Sequence, residues 1–478
     1  MSVHHTTDGL EMQMSNRATM GRREFLQCGL AGLGSLTLPE LFQLRERSSA
    51  AAKSSAKTSN TALIVVWLQG GASHIETYDP KPLAASAFRG PYSPISTRVP
   101  GMNICELLPR HAEVADRFSL LRSMVHTGFC HQQGTQQLFT GHEVRVLRQK
   151  PKHPDLMSIA HRVRSDDRRD IPNYVGVNPV SYFGSAFLGP SYEPFRVTGD
   201  PNAPEFNVPN VGLNDNQQRE RVAERISLRK RLDRFSQHVD DFGRMRAFDA
   251  FEAQAWNMLT SPAAKEAFDI SQEDERTRDR YGRNRWGQQC LLARRLVEAG
   301  VELVTTQFSG PLCGRVGNWD DHAVNHNVFE GMKHRSPFYD QAVAALIEDI
   351  YDRGLDKRVM VVVTGEFGRT PKISYKASTG AGIASAAKGT VQPGRDHWPR
   401  ATSILFSGGG METGQVIGTT DVRGEDATDR IVGRGDFLAT LYRHLGIDAK
   451  SIAFADFTGR PIPALPTGGE PIPELGRA

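Results

Sequence analysis

Cysteine is scarce: five residues in 478, at positions 28, 105, 130, 290 and 313. That irregular spacing builds neither a disulfide ladder nor a CxxC zinc knuckle. No run of 18 or more apolar residues occurs, which excludes an ordinary membrane span. The net charge is only +4 and evenly spread, too weak to argue for a nucleic-acid partner. Neither G-x-G-x-x-G nor G-x-x-x-x-G-K-[ST] is present, so the diglycine Gly70-Gly71 is not a nucleotide cradle. There is no internal repeat. Glycine (45) and proline (27) are plentiful instead, together about 15% against a usual ~12%. With 39% hydrophobic and 23% charged residues, the composition is that of a loop-rich, globular α/β protein.

Residues 1–20 are polar. Gly21-Arg22-Arg23-Glu24-Phe25-Leu26-Gln27 follows, then a short apolar stretch from Cys28 to Leu38 that Pro39 ends, then Ser48-Ser49-Ala50-Ala51-Ala52. A charged start, an apolar segment too short to span and a small-residue site make an export signal. The paired arginines resemble the twin-arginine type, against the plainer reading of an N-terminal amphipathic helix. Residues 1–52 are therefore expected to engage the twin-arginine export machinery. The remaining chain, exported to the periplasm or cell surface, would carry no transmembrane span. Residues 53–478 are expected to form one domain, with a loop-rich insertion at about 151–213 and a helical segment at about 214–299.

The chain after Ala52 alternates apolar runs with helical patterns. Thr61 to Leu68, Ser119 to Met124, Val301 to Phe308, Val359 to Val363 and Ala401 to Phe406 read as strands, most buried on both faces as in a parallel sheet. Leu107 to Phe118, Gln136 to Phe139, Gln217 to Leu259, Arg285 to Glu298, Ser336 to Arg353 and Gly435 to His444 read as helices. Ligands in open α/β sheets bind outside the carboxyl ends of the strands. Five segments place histidines and carboxylates at such ends: His74 with Glu76, His126 with His131, Asp320-Asp321-His322 with His326, Glu366 with Arg369, and Asp396 with His397. The pair His322 and His326 would share one face if that stretch were helical. Histidine with carboxylate suits a divalent transition metal. Capping and turn-forming roles for the same residues remain open.

Jointly, Gly70-Gly71-Ala72-Ser73-His74, Thr77-Tyr78-Asp79-Pro80-Lys81-Pro82, Trp319-Asp320-Asp321-His322, Gly365-Glu366-Phe367-Gly368-Arg369-Thr370-Pro371 and Gly394-Arg395-Asp396-His397 resemble an exported bacterial family of domains of unknown function, number 1501. That family is similar to the alkaline phosphatase and sulfatase superfamily. The resemblance implies a three-layer α/β/α sandwich with a mostly parallel central sheet. It also implies a metal-dependent hydrolase acting on small anionic, sulfated or phosphorylated substrates, or a non-catalytic relative that binds them. The superfamily's Thr-Ala-Asp-His-Gly loop is similar to Thr364–Gly368, with Glu366 for its aspartate and Phe367 for its histidine. Its nucleophile position falls on His131.

The roles so implied are His131, Arg369 and His126 in catalysis, and Gly70, Gly71, His74 and Arg395 against substrate. Asp320, His322, Glu366, Asp396 and His397 would hold one divalent metal, Zn, Mn or Ca.

Overall fold

Ala62–Leu68 is fully buried along its length, and its side chains divide strictly by parity. Ala62, Ile64, Val66 and Leu68 enter one apolar cluster, while Leu63, Val65 and Trp67 enter another. An unbroken β-branched and apolar run can satisfy both clusters only as a central strand with both faces covered. The computed structural model describes residues 60–165, 171–209, 211, 224, 261–310, 312, 317–380, 384–466 and 468–476. The export-signal expectation at 1–52 and most of the helix expected at Gln217 to Leu259 lie outside them.

Nine strands form the main sheet: β1 (Ala62–Leu68), β2 (Phe118–Val125), β3 (Tyr174–Val177), β4 (Phe195–Val197), β5 (Leu303–Phe308), β6 (Val359–Thr364), β7 (Thr402–Gly408), β8 (Val416–Ile417) and β9 (Val432–Gly433). Their order is β8-β2-β7-β6-β1-β5-β3-β4, with β9 also on β2. β1 runs parallel to β5 and β6, β5 to β3, and β3 to β4. Only β7 is reversed, antiparallel to both β2 and β6. The carboxyl ends of β1, β2, β5 and β6 therefore share one edge with the amino end of β7. The sheet is mixed and mostly parallel, as expected.

Five longer helices cover it: α1 (His131–Thr140), α2 (Leu156–Arg164), α3 (Arg285–Glu298), α4 (Val328–Asp352) and α5 (Arg434–His444). The first cluster holds the inner faces of α3 and α4, the second those of α1, α2 and α5. Helices thus lie on both faces, giving three layers.

Several local expectations change. The helix expected from Ser336 starts at Val328, because Asn327 accepts the amides of Phe329 and Glu330 as an N-cap and Pro337 is carried inside. β5 and β6 are not neighbours; the crossover through α4 steps over β1. The stretch 151–213 supplies α2, β3 and β4, and its two strands extend the sheet beyond β5. Residues 319–327 are turns and not a helix. His322 and His326 consequently part company, His326 turning its Nδ1 toward Asp321 at 3.6 Å.

Candidate functional site

Three loops meet at the shared edge, and glycine is what lets them touch. Gly70 and Gly71 follow β1 with φ of 106° and 80°, a region side chains rarely adopt. A Cβ on Gly70 would lie 2.5 Å from the Asp320 amide nitrogen, and one on Gly71 would lie 2.5 Å from the Phe367 carbonyl. The close approach expected of this diglycine is therefore to the chain's own backbone, not to a ligand. The loop after β6 then pairs with the segment before β7, Arg369 opposite His397 and Gly368 opposite Trp398.

Arg369 locks this junction. Its Nε donates to the Gly71 carbonyl at 2.9 Å, Nη1 to that of Arg395 at 3.1 Å, and Nη2 to both the Gly70 carbonyl and Asp320 Oδ1. It is fully buried. Arg395 is buried equally, donating to Glu76 Oε1 and the Phe88 carbonyl at 2.7 Å each and to the carbonyls of Thr370 and Pro371. Arg369 was expected in catalysis and Arg395 against substrate, one or the other gripping an oxyanion. Instead they are spent on carbonyls and carboxylates inside the protein.

Around Asp320 three imidazoles converge. His131 is the first residue of α1, and its Nδ1 lies 2.6 Å from Glu366 Oε1. His322 Nδ1 lies 2.6 Å from Asp396 Oδ1. His397 Nδ1 lies 2.7 Å from the Phe129 carbonyl. Carboxylates and carbonyls only accept, so each Nδ1 carries the hydrogen; a ring that takes a second proton donates from Nε2 to Asp320, and one that gives it up presents a bare Nε2. All three Nε2 atoms face Asp320: His131 at 3.4 Å from Oδ2, His322 at 3.2 Å and His397 at 3.3 Å from Oδ1. His322 Nε2 and His397 Nε2 stand 3.0 Å apart, and two lone pairs at that separation repel unless a proton or a cation lies between them. His131, Asp320 and His397 each bring a ligand atom within 4.8 Å of the others.

The electrostatics follow the geometry. Burial opposes a charge on His131, but hydrogen bonds to Asp320 and Glu366 outweigh it and raise its pKa to about 9. Burial would raise Asp320, yet hydrogen bonds from His131, His322 and His397 and the Arg369 charge hold it far below the carboxylate range. Burial pushes His397 below the usual histidine value.

Glu366 and Asp396, both expected as ligands, stand behind His131 and His322 rather than facing the cluster. Glu366 Oε1 also accepts the Gly70 amide at 2.9 Å, and its Oε2 is buried without a partner among the described residues. Phe367 packs its ring against His131 at 5.6 Å and His397 at 4.4 Å between centroids, so it walls the cluster.

His74 and His126 lie apart from the cluster. His74 is buried with Nε2 against the Gly424 carbonyl at 2.9 Å, and burial lowers its pKa. His126 donates from Nε2 to the Glu366 carbonyl at 2.6 Å and accepts the Gly128 amide on Nδ1 at 3.0 Å. Protonating it would destroy that second bond.

Burial holds His126, His161 and His444 at about 4, below the unfolded value near 6.5. The folded state thus binds fewer protons across this window. Stability present above pH 6.5 is lost as pH falls toward 4, on the order of 3 kcal/mol per histidine. Urea midpoints should therefore drop steeply between pH 6.5 and 4.5; a flat profile would contradict these neutral, buried rings.

The profile of a family described as "Protein of unknown function (DUF1501)" matches residues 60–475. No curated protein matches in sequence. Among solved structures, a 2-O GAG sulfatase is similar at 11% identity, covering 87% of this chain and 74% of its own, with a TM-score of 0.36. The PsFucS1 sulfatase from Pseudoalteromonas sp. is similar at 13% identity, with 84% and 72% covered and a TM-score of 0.33. A phosphonate monoester hydrolase from Silicibacter pomeroyi gives 12% identity, 88% and 77% covered, and a TM-score of 0.31. Likeness at this level establishes neither activity nor substrate.

Proposed function

The chain belongs to the DUF1501 family across residues 60–475, and from that premise we propose a metal-dependent hydrolase of sulfate or phosphate esters. One observation carries the reading: three histidine Nε2 atoms and the Asp320 carboxylate converge while every Nδ1 is held by an acceptor. Metal-ligating histidines are oriented in this way by carboxylates and carbonyls behind them. A cation between His322 Nε2 and His397 Nε2, 3.0 Å apart, would remove the repulsion of their lone pairs. His131, His322, His397 and Asp320 would hold the cation, with Glu366, Asp396 and the Phe129 carbonyl setting the rings. Three imidazoles suit Zn or Mn and disfavour Ca, which takes oxygen ligands. Phe367 occupies the second-site histidine position, so one cation is proposed, not two.

When bound, the cation supplies Lewis-acid charge to an ester oxygen and stabilises the negative charge that develops. The residues around it do the rest. Arg369 holds Asp320 in register. Both nitrogens of His131 are committed, so it serves better as a ligand than as the nucleophile or base expected from its place in the chain. The head of α1 offers no serine or threonine, and the attacking oxygen would come from water. Binding of anions without turnover is the second reading, favoured by the imidazole where a nucleophile is expected.

The paired arginines at Arg22-Arg23 support export by the twin-arginine machinery to the periplasm or cell surface. Among the described residues no helix is long and apolar enough to cross a membrane.

The test is elemental analysis after chelation and reloading with Zn or Mn, beside turnover of an aryl sulfate and an aryl phosphate. Glu366→Gln, which weakens the group that orients His131, should lower metal affinity about 10- to 100-fold in a folded protein. A chain that takes up neither metal and turns over neither ester would end the hydrolase reading. Metal and anion uptake without turnover would select the second.

A further inference from the structure

The segment from His142 to His153 returns to its own start: the two imidazoles stack at 3.6 Å between centroids, 12° from parallel. Burial lowers both rings, His142 to about 3, so the stack carries no charge at neutral pH. Surface loops with closed ends are recurrent functional elements, and here α1 fastens the loop from below. Gln133 donates to the Val144 carbonyl at 3.2 Å and Gln136 to that of Arg148 at 2.8 Å. At spacing i, i+3 both amides leave one helix face. Between those two fixed carbonyls, Arg145-Val146-Leu147 is left to project.

What projects is apolar at its centre and cationic around it. Val146 is 62% exposed and Leu147 59%. Arg145, Arg148, Lys150 and Lys152 are all exposed in the same loop, against one carboxylate of the loop, Glu143, 3.1 Å from Arg145. Lys150 also meets Glu193 at 3.3 Å. The apolar face continues past the loop's base. Phe187 meets His153 edge-on at 6.2 Å and Phe457 at 6.4 Å between centroids. Phe457, in the turn between Ala453–Ala455 and Pro461–Pro463, is 88% exposed. Asp456 beside it is turned to the amides of Thr458 and Arg460.

We propose that the His142–His153 loop docks on an anionic lipid surface, Val146 and Leu147 entering the headgroup layer while the flanking arginines and lysines meet lipid phosphates. Charge complementarity selects this occupant. A layer negative at its face and hydrocarbon beneath matches an apolar tip rimmed by four cations. A soluble polyanion would answer the cations and leave both apolar side chains wet. A second copy presenting the same face would set cations against cations. The inference stands apart from the hydrolase reading. It adds that Gln133 and Gln136 tie the docked tip to the helix headed by His131.

The test is flotation of the full-length chain with vesicles of phosphatidylcholine alone and of equal parts phosphatidylcholine and phosphatidylglycerol. Wild type should float with the anionic vesicles and stay behind with the neutral ones. Val146→Ser with Leu147→Ser should weaken that binding about tenfold. Arg145→Gln, Arg148→Gln and Lys152→Gln together should weaken it about hundredfold. Every substituted side chain is exposed, so thermal midpoints should match the wild type's. Wild type that ignores anionic vesicles overturns the proposal. So do variants that float as the wild type does, since the binding would then belong to another part of the chain, such as the apolar stretch Cys28 to Leu38. A serine variant with undiminished lipid binding, beside a glutamine variant that loses both vesicles and dextran sulfate, would make the loop a general polyanion site and overturn the lipid assignment. Wild type that sediments as a dimer, with the serine variant a monomer, would assign the face to a second copy instead.

Discussion

Asp320→Asn is expected to cost at least about 100-fold in metal affinity, beyond the 10- to 100-fold typical when only an orienting partner is lost. Asp320 is the one group all three Nε2 atoms face. An amide there lacks the charge that offsets a cation, and its NH2 would be drawn to a bare imidazole nitrogen. Chelated wild type and variant, reloaded with Zn and dialysed together, should differ in metal per chain while their circular dichroism agrees. Retained metal at wild-type affinity would place the cation elsewhere. The variant also leaves Arg369 with its three carbonyls but without a carboxylate, so stability should fall too, by less than for an arginine removed outright.

That larger loss is expected at Arg395. Arg395→Met strips Glu76 of its partner, and both groups are almost wholly inaccessible to water. Breaking a buried ion pair from one side costs about 3–5 kcal/mol, because the charge left behind has neither water nor counter-ion. The carbonyls of Phe88, Thr370 and Pro371 lose a donor at the same time. Urea unfolding measures the loss directly. Combining Arg395→Met with Glu76→Gln should recover part of it, since the orphaned charge is then gone. A double variant no more stable than Arg395→Met would assign the cost to the carbonyls alone.

The sheet was legible because its strands are continuous apolar runs, and nothing but burial on both faces accounts for Val359 to Val363 or Thr61 to Leu68. The edge was legible for the same reason: a run that stops in glycine marks where a loop begins. What the sequence does not carry is depth within the site. Glu366 and His131 are both polar residues near strand ends. Only the distances show the carboxylate behind the imidazole and not beside it. The two arginines illustrate the same blindness, since a guanidinium beside a glycine-rich loop looks free until its carbonyl acceptors are known. His322 and His326 have helical spacing, but helix α4 starts only at Val328, behind the Asn327 cap, and leaves them in a turn.

The cluster is stitched from distant parts of the chain. His131 and Glu366 meet across 235 positions, His322 and His397 across 75, and Gly70 and Arg369 across 299. No nascent fragment can present these donors together, since the last of them is made long after the first. Cation capture is therefore an event of the finished molecule. It requires the loops after β2, β5 and β6 and the segment before β7 to be in place, and an ion taken up there would ratify folding rather than guide it.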